Sequence, residues 1–236
     1  MPSLLKALES QIGRKILTGI TGVALMLFII VHLAGNLTLF GGPQAFNIYA
    51  HTLLNMGALL YIAEFGLILI FAVHAYIGIS IYLRKRKARP ENYSVYKSIG
   101  SPSKQTLSSK SMALTGIVLL VFVVLHVIHF KFGPGMEAGY TATLENGEQI
   151  RDLKALVVDE FKSPLMTFLY VAVMILLGVH LRHGFWSAFT SLTMRHNQFS
   201  GVIYTIGVLF AILMAVGFLF IPLYIFFTGG EGAIIS

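Results

Sequence analysis

Five long apolar stretches dominate the chain, near 16–40, 57–83, 111–130, 164–189 and 201–228. Each reaches the roughly 17–25 residues that a helix needs to cross hydrocarbon. The runs are too continuous for amphipathic surface helices, and a membrane β-barrel would show short alternating segments instead. The pattern predicts an all-α integral membrane protein, one domain over 1–236, with five transmembrane helices. Met1–Lys15 reads as a short amphipathic lead, and the first apolar run is too long for the core of a signal peptide. The polar segment 131–163 reads as a loop, with Gly133-Pro134-Gly135 at its start, a turn at Asn146-Gly147 and a short helix over 151–161. Pro43, Pro90 and Pro102 fall in loops, Pro164 suits the first turn of a helix, and Pro222 predicts a kink in the fifth span.

Composition sharpens this picture. Charged residues are 11% of the chain and the AVILMFWYC set 56%, whereas a soluble domain carries about 25% charged residues. Cys is 0, which excludes disulfides, thiolate metal sites and covalent c-type haem attachment. The 8 His and a few carboxylates are the remaining good metal ligands.

The net charge of +7 is unevenly placed. Lys6, Arg14 and Lys15 precede the first span. Arg84, Lys85, Arg86, Lys87, Arg89, Lys97, Lys104 and Lys110 follow the second, and Arg182 and Arg195 lie at the fourth–fifth connection. The segments 41–56 and 229–236 have no Lys or Arg, and 131–163 has more acids than bases. The positive-inside rule then predicts a cytoplasmic N-terminus and an external C-terminus. The basic excess is first a topology signal; the 84–110 loop is also suited to docking a partner or anionic lipid headgroups. No nucleic-acid partner is expected.

A repeat links the spans. Thr21-Gly22 precedes His32 in the first span as Thr115-Gly116 precedes His126 in the third. Val73-His74 is followed by Gly78 in the second span as Val179-His180 is followed by Gly184 in the fourth. Helices of the same direction thus resemble each other, and each of the first four carries one of these His. His32 lies 17 residues beyond Lys15 and His126 lies 16 beyond Lys110, roughly 24–26 Å along a helix. Both belong near the outer edge of a core about 30 Å thick. His74 lies 10 residues before Arg84 and His180 lies 16 after Pro164, which puts both in the inner half.

Two His at one depth and two at another suit two b-type haems, each held between imidazoles of facing helices: His74 with His180 for an inner haem, His32 with His126 for an outer one. Gly78 and Gly184, one turn past the inner His, leave room for a flat macrocycle. Thr21 and Thr115, about three turns before the outer His, put small side chains at the inner level. The plainer alternative is a set of polar residues hydrogen-bonded between helices; four His at matched depths within paired patterns weigh against it, and ionisable residues inside a membrane are functional suspects. His129 and His183, three residues past two of the ligands, are substitutes should the register differ, and His196 reads as a solvated loop residue.

Several segments resemble the di-haem cytochrome b membrane anchor of succinate dehydrogenases and fumarate reductases, the single-subunit type with five helices. They are Ile30-Val-His32-Leu-Ala-Gly-Asn36, Gln44-Ala-Phe-Asn-Ile-Tyr-Ala-His51, Val73-His-Ala-Tyr-Ile-Gly78, Leu114-Thr-Gly116 running into Leu125-His126-Val127, and His180-Leu-Arg-His-Gly-Phe-Trp-Ser187. The resemblance implies a four-helix haem-binding core with one peripheral helix in the cytoplasmic (inner) membrane of a cell. It implies electron transport through haem iron, between a flavoprotein and an iron–sulfur subunit on the cytoplasmic side and a membrane quinone, generally menaquinone. The chain would be an electron-transfer subunit of respiratory complex II, serving the tricarboxylic acid cycle, and would not itself act on succinate; it has no flavin fingerprint and no soluble domain.

Quinone chemistry also needs protons. Glu64 is the only acid inside a spanning segment, and burial at that depth suits a carboxyl to carry protons. His51, in the adjacent loop, is of the residue type that titrates near neutrality. Glu64 and His51 are therefore the expected catalytic pair for quinone protonation or deprotonation. Lys131 and Arg182 are the expected partners of haem propionates, although Arg182 serves equally as an orientation charge. Two rivals remain. One is the di-haem b subunit of another dehydrogenase, of formate dehydrogenase or hydrogenase type, which co-purifying subunits distinguish. The other is a His-using transporter, which predicts no haem and discontinuous helices.

Overall fold

The computed structural model describes residues 6, 10–88, 107–192 and 200–230. His196 and most of the 84–110 loop lie outside the described residues. The chain is mostly helical, and among the described residues five helices are long and apolar enough to cross a membrane. They are α1 (Gln11–Leu37), α3 (Ala58–Lys87), α4 (Leu107–His126), α6 (Pro164–Ser191) and α7 (Ser200–Thr228). In hydrocarbon a helix satisfies its own backbone polar groups, which is why these runs take no other form. The shorter elements are α2 (Ala45–Asn55), α5 (Leu153–Lys162) and a two-stranded sheet of β1 (Thr141–Thr143) and β2 (Gln149–Arg151).

Local chemistry sets the helix ends. Ser10 Oγ accepts from Gly13 N at 3.0 Å, so α1 starts five residues before its apolar run. α3 continues past its apolar part to end in Arg84, Lys85, Arg86 and Lys87, where cations complement the negative end of the helix dipole. Between α2 and α3 the chain turns at Gly57, whose φ of 56° favours glycine. α4 passes into a π-helical turn over Val127–Lys131. α7 runs as one helix through Pro222, so the kink expected there does not break it.

The chain divides into two compact units, and all five long helices contribute to both. The first comprises residues 1–27, 66–118 and 177–213, and the second 28–65, 119–176 and 214–236. In the first unit α7 packs on α6: Phe185 stacks near Phe189 and Phe210, and Gly207 gives room to the Phe185 ring. Also in this unit, Arg14 of α1 donates to Ser80 Oγ of α3 at 2.7 Å. In the second unit α7 packs on α1, with Gly217 against Leu33 and with Phe220 and Tyr224 against Phe40. The fifth helix thus packs on another part of the chain in each unit.

The loop expected over 131–163 belongs to the second unit and is more ordered than a loop. β1 pairs antiparallel with β2, Thr141 opposite Arg151, around a turn at Asn146-Gly147 where Gly147 has φ 85°. α5 follows, close to the helix expected over 151–161. Asp152 caps it by accepting from Ala155 N at 2.8 Å. Its apolar side, Leu156, Val157, Val158 and Phe161, is buried. Asn47 of α2, only 2% exposed, fastens this helix. Its Nδ2 donates to Asp152 Oδ1 at 2.9 Å and its Oδ1 accepts from Lys154 N at 2.9 Å. Lys154 Nζ donates to the carbonyls of Gly42 and Pro43. Burial pushes this ammonium below the ordinary lysine range, with Asp152 opposing the effect.

Asn47→Ala leaves the buried Lys154 N–H without its partner and removes one of the two donors to Asp152 Oδ1. The expected loss is about 1–3 kcal/mol of stability in the second unit. It is read as a lower thermal midpoint and faster proteolysis between 133 and 163, and unchanged cleavage there would contradict the role given to Asn47.

Candidate functional site

Two histidine pairs form, one in each unit. In the first unit His74 of α3 and His180 of α6 lie within electrostatic reach of each other. Each ring is held by a threonine. Thr21 Oγ1 of α1 stands 3.1 Å from His74 Nδ1, and Thr115 Oγ1 of α4 stands 3.1 Å from His180 Nδ1. The next residue closes on the ring edge. A Cβ placed on Gly22 would lie 3.4 Å from His74 Cε1, and one on Gly116 would lie 3.4 Å from His180 Cε1. The Thr-Gly repeat of the first and third spans is therefore a seat for the His of the second and fourth. Sequence reasoning found these threonines but read them only as small neighbours. Gly184 faces Met26 and Met112 at van der Waals distance, and nothing stands within 4 Å of the Cβ position of Gly78.

In the second unit His32 of α1 faces His126 of α4, with ring centroids 5.9 Å apart and planes at 87°. Metal–imidazole bonds are about 2.0–2.1 Å long and the ring centre lies roughly an ångström further back, so two imidazoles opposed across one metal atom have centroids about 6 Å apart. Phenylalanines flank both rings: Phe28 stacks on His32 and Phe122 on His126, each four residues earlier in its helix. This adds a Phe to the repeat, a signal present in the sequence and missed there. Phe218 of α7 lies 6.0 Å from His32. Polar partners are sparse. Tyr170 OH is 3.3 Å from His126 Nδ1, and Asn36 Nδ2 stands 3.5 Å from His32 Nε2, too long for a good hydrogen bond.

The donor sets suit a b-type haem, which takes two axial imidazoles. Each pair offers two imidazoles, His74 and His180 against threonine hydroxyls and His32 and His126 mainly against phenylalanine rings. Among the described residues no group of three or more His, Cys, Asp or Glu converges as a conventional metal cluster would.

The other expected site residues have definite partners. Glu64 of α3 forms an ion pair with Lys131 of the π turn, both partly exposed. Lys131, expected to serve a propionate, thus also partners the expected proton carrier. His51 Nε2 lies 3.2 Å from Glu148 and 2.8 Å from Asn55 Nδ2. The structure keeps Glu64 and His51 in the second unit without a direct contact between them among the bonds it forms. Arg182 donates to Tyr204 OH of α7 and lies over its ring. His129 pairs with Glu160 of α5 at 3.0 Å, and His183 is half-buried.

The Glu64–Lys131 pair should show coupling. Lys131→Met leaves an uncompensated carboxylate beside hydrocarbon, so it destabilises more than the double variant Lys131→Met/Glu64→Gln. A coupling of about 0.5–3 kcal/mol is expected from a double-mutant cycle on thermal unfolding in detergent. Additive effects would mean that the two side chains do not interact.

No family model, curated protein or solved structure matches the chain, so the site is read from its own geometry.

Proposed function

We propose that the chain is a di-haem b membrane anchor of a succinate:quinone oxidoreductase or quinol:fumarate reductase. The observation that carries this reading is the pairing of four intramembrane imidazoles, His74 with His180 and His32 with His126, each pair on two helices. Haem b bound at such a pair supplies one-electron transfer at its iron. The chain's own residues do the rest. His74, His180, His32 and His126 would hold the iron through their ring nitrogens. Thr21 and Thr115 orient two of the rings. Phe28, Phe122 and Phe218 keep water from the other two.

Electrons would pass between an iron–sulfur subunit, bound with its flavoprotein at the basic cytoplasmic end, and a quinone in the membrane. Menaquinone is the expected quinone, on the resemblance to di-haem anchors. The exposed Arg84–Lys87 run supports docking at that end. Glu64, paired with Lys131, is the acid at membrane depth placed to exchange protons with the quinone, and His51 is the titratable group of the adjoining segment. Lys131, at the end of the third long helix, and Arg182, toward the end of the fourth, are the cations proposed for the propionates.

A pyridine haemochrome assay with a reduced-minus-oxidised spectrum tests the reading. Two haems b per chain are expected, with His74→Ala and His126→Ala each removing a different one. A folded, haem-free chain under haem-replete expression would overturn it. Glu64→Gln should keep both haems and lower quinone turnover; full turnover would remove Glu64 from the proton path. A formate dehydrogenase or hydrogenase subunit co-purifying in place of the flavoprotein would reassign the complex.

A further inference from the structure

We propose that Thr21 and Thr115 are positioning residues that lock His74 and His180 in one tautomer, with Nδ1 protonated and Nε2 left with its lone pair free. The proposal rests on the haem-anchor reading above for its purpose, but the lock itself belongs to the protein alone.

The argument is a count of protons. A hydroxyl has one proton to give and two lone pairs to receive. Thr21 Oγ1 is 2.7 Å from the carbonyl of Leu17 and 3.2 Å from that of Thr18. Thr115 Oγ1 is 3.1 Å from the carbonyls of Ser111 and Met112. Carbonyl oxygens only accept, so each hydroxyl proton is committed to its own helix backbone. The oxygen then meets the imidazole as an acceptor, and the 3.1 Å contact to Nδ1 requires that Nδ1 carry the hydrogen. In a neutral imidazole with Nδ1 protonated, Nε2 holds a free lone pair, and the bond made by one nitrogen decides the state of the other.

The threonines are not surface residues. Thr21 is 8% and Thr115 2% exposed, so neither serves the surface. Gly22 and Gly116 leave the ring edge uncrowded: a Cβ built on either would lie 3.4 Å from Cε1, the ring atom between the two nitrogens. The His32–His126 pair has no such device; Tyr170 and Asn36 offer longer contacts and no hydroxyl tied to the backbone. A hydroxyl accepting from Nδ1 also raises the basicity of the ligating nitrogen. Electron donation to the iron then lowers the reduction potential of the His74–His180 haem.

The test uses the full-length chain with Thr21→Val, Thr115→Val and the matching Ser and Ala variants. In 15N spectra of the haem-free, histidine-labelled protein, His74 and His180 should show protonated Nδ1 and bare Nε2. Thr21→Val and Thr21→Ala should lose this state at His74 alone, and Thr115→Val and Thr115→Ala at His180 alone. The Ser variants should retain it. In the haem-loaded chain Val and Ala should weaken retention of that haem about tenfold or more and raise its midpoint potential, leaving the other haem unchanged, with Ser close to wild type. Should one Val variant fail to fold, its Ala counterpart carries the test. A wild-type chain with Nε2 protonated, or Val and Ala variants with unchanged spectra and potential, would overturn the proposal. A chain that shows the tautomer lock but binds no haem would instead remove the haem-anchor reading and leave the lock standing.

Discussion

Hydrocarbon offers no hydrogen-bond partner, and that scarcity organises the polar chemistry of this chain. A helix in lipid closes its own backbone bonds, so every polar side chain inside it must find another side chain or borrow from the backbone. The chain does both. Thr21 and Thr115 give their protons back to their own helices and so turn a donor-acceptor group into an acceptor for a neighbouring ring. Glu64 finds Lys131. Arg182 finds Tyr204 and Arg14 finds Ser80, each bond joining two long helices. Among the described residues no buried side-chain nitrogen or oxygen is left without a partner. The few polar contacts therefore specify which helices meet, a task that apolar faces alone leave degenerate in lipid.

The repeat gives those contacts a plan. The first and third long helices share Thr-Gly, then Phe, then His, and the structure gives each component a matched place. Thr Oγ1 lies 3.1 Å from the ring of the next long helix in both copies, and a Cβ built on the following Gly would lie 3.4 Å from that ring in both. The Phe stacks four residues below its own His in both copies, at 5.4 and 5.5 Å. Agreement of two independent copies to within a tenth of an ångström argues that these are one device used twice. A polar residue at a helix contact by accident would have no reason to carry the same three companions.

Much of this was legible in the sequence, and the rest fails for physical reasons. Long apolar runs reveal spans because only a spanning helix needs them, so five helices follow from pattern alone. Their ends do not: α1 starts at Gln11 because Ser10 caps it, and α3 reaches Lys87 because cations suit a helix C-terminus. Depth counted along a helix assigns His32 to the level of His126 and His74 to that of His180, because rise per residue is fixed. The hairpin was missed although Asn146-Gly147 marks its turn, since Thr141–Thr143 and Gln149–Arg151 are too short to show alternation. The π turn at Val127–Lys131 leaves no mark in composition. Lys131 with Glu64 and Arg182 with Tyr204 are contacts between helices, invisible to a reading that takes one helix at a time. The threonines were seen as a pattern, but the role of an oxygen as acceptor depends on distances that only folding supplies.

The two histidine pairs are alike in ligand type and unlike in surroundings, and on the proposed reading that difference has a direction. His74 and His180 each meet a hydroxyl oxygen at hydrogen-bond distance. His32 and His126 lie mainly against Phe28, Phe122, Phe130 and Phe218, with longer polar contacts. For iron held by the same two imidazoles, what varies is the hydrogen bonding of the ligands and the polarity around them. Electron donation through a hydrogen-bonded imidazole stabilises the oxidised metal. Packing by phenylalanine removes water and disfavours the added positive charge of the oxidised metal. On that reading both effects would separate the potentials in the same sense, with the His74–His180 site lower and the His32–His126 site higher. A chain that needed only to hold two haems would have no use for unequal seats, whereas one that passes electrons between a soluble partner and a lipid-borne quinone gains from a graded pair. On the proposed reading, unequal seats of this kind suit conduction better than storage.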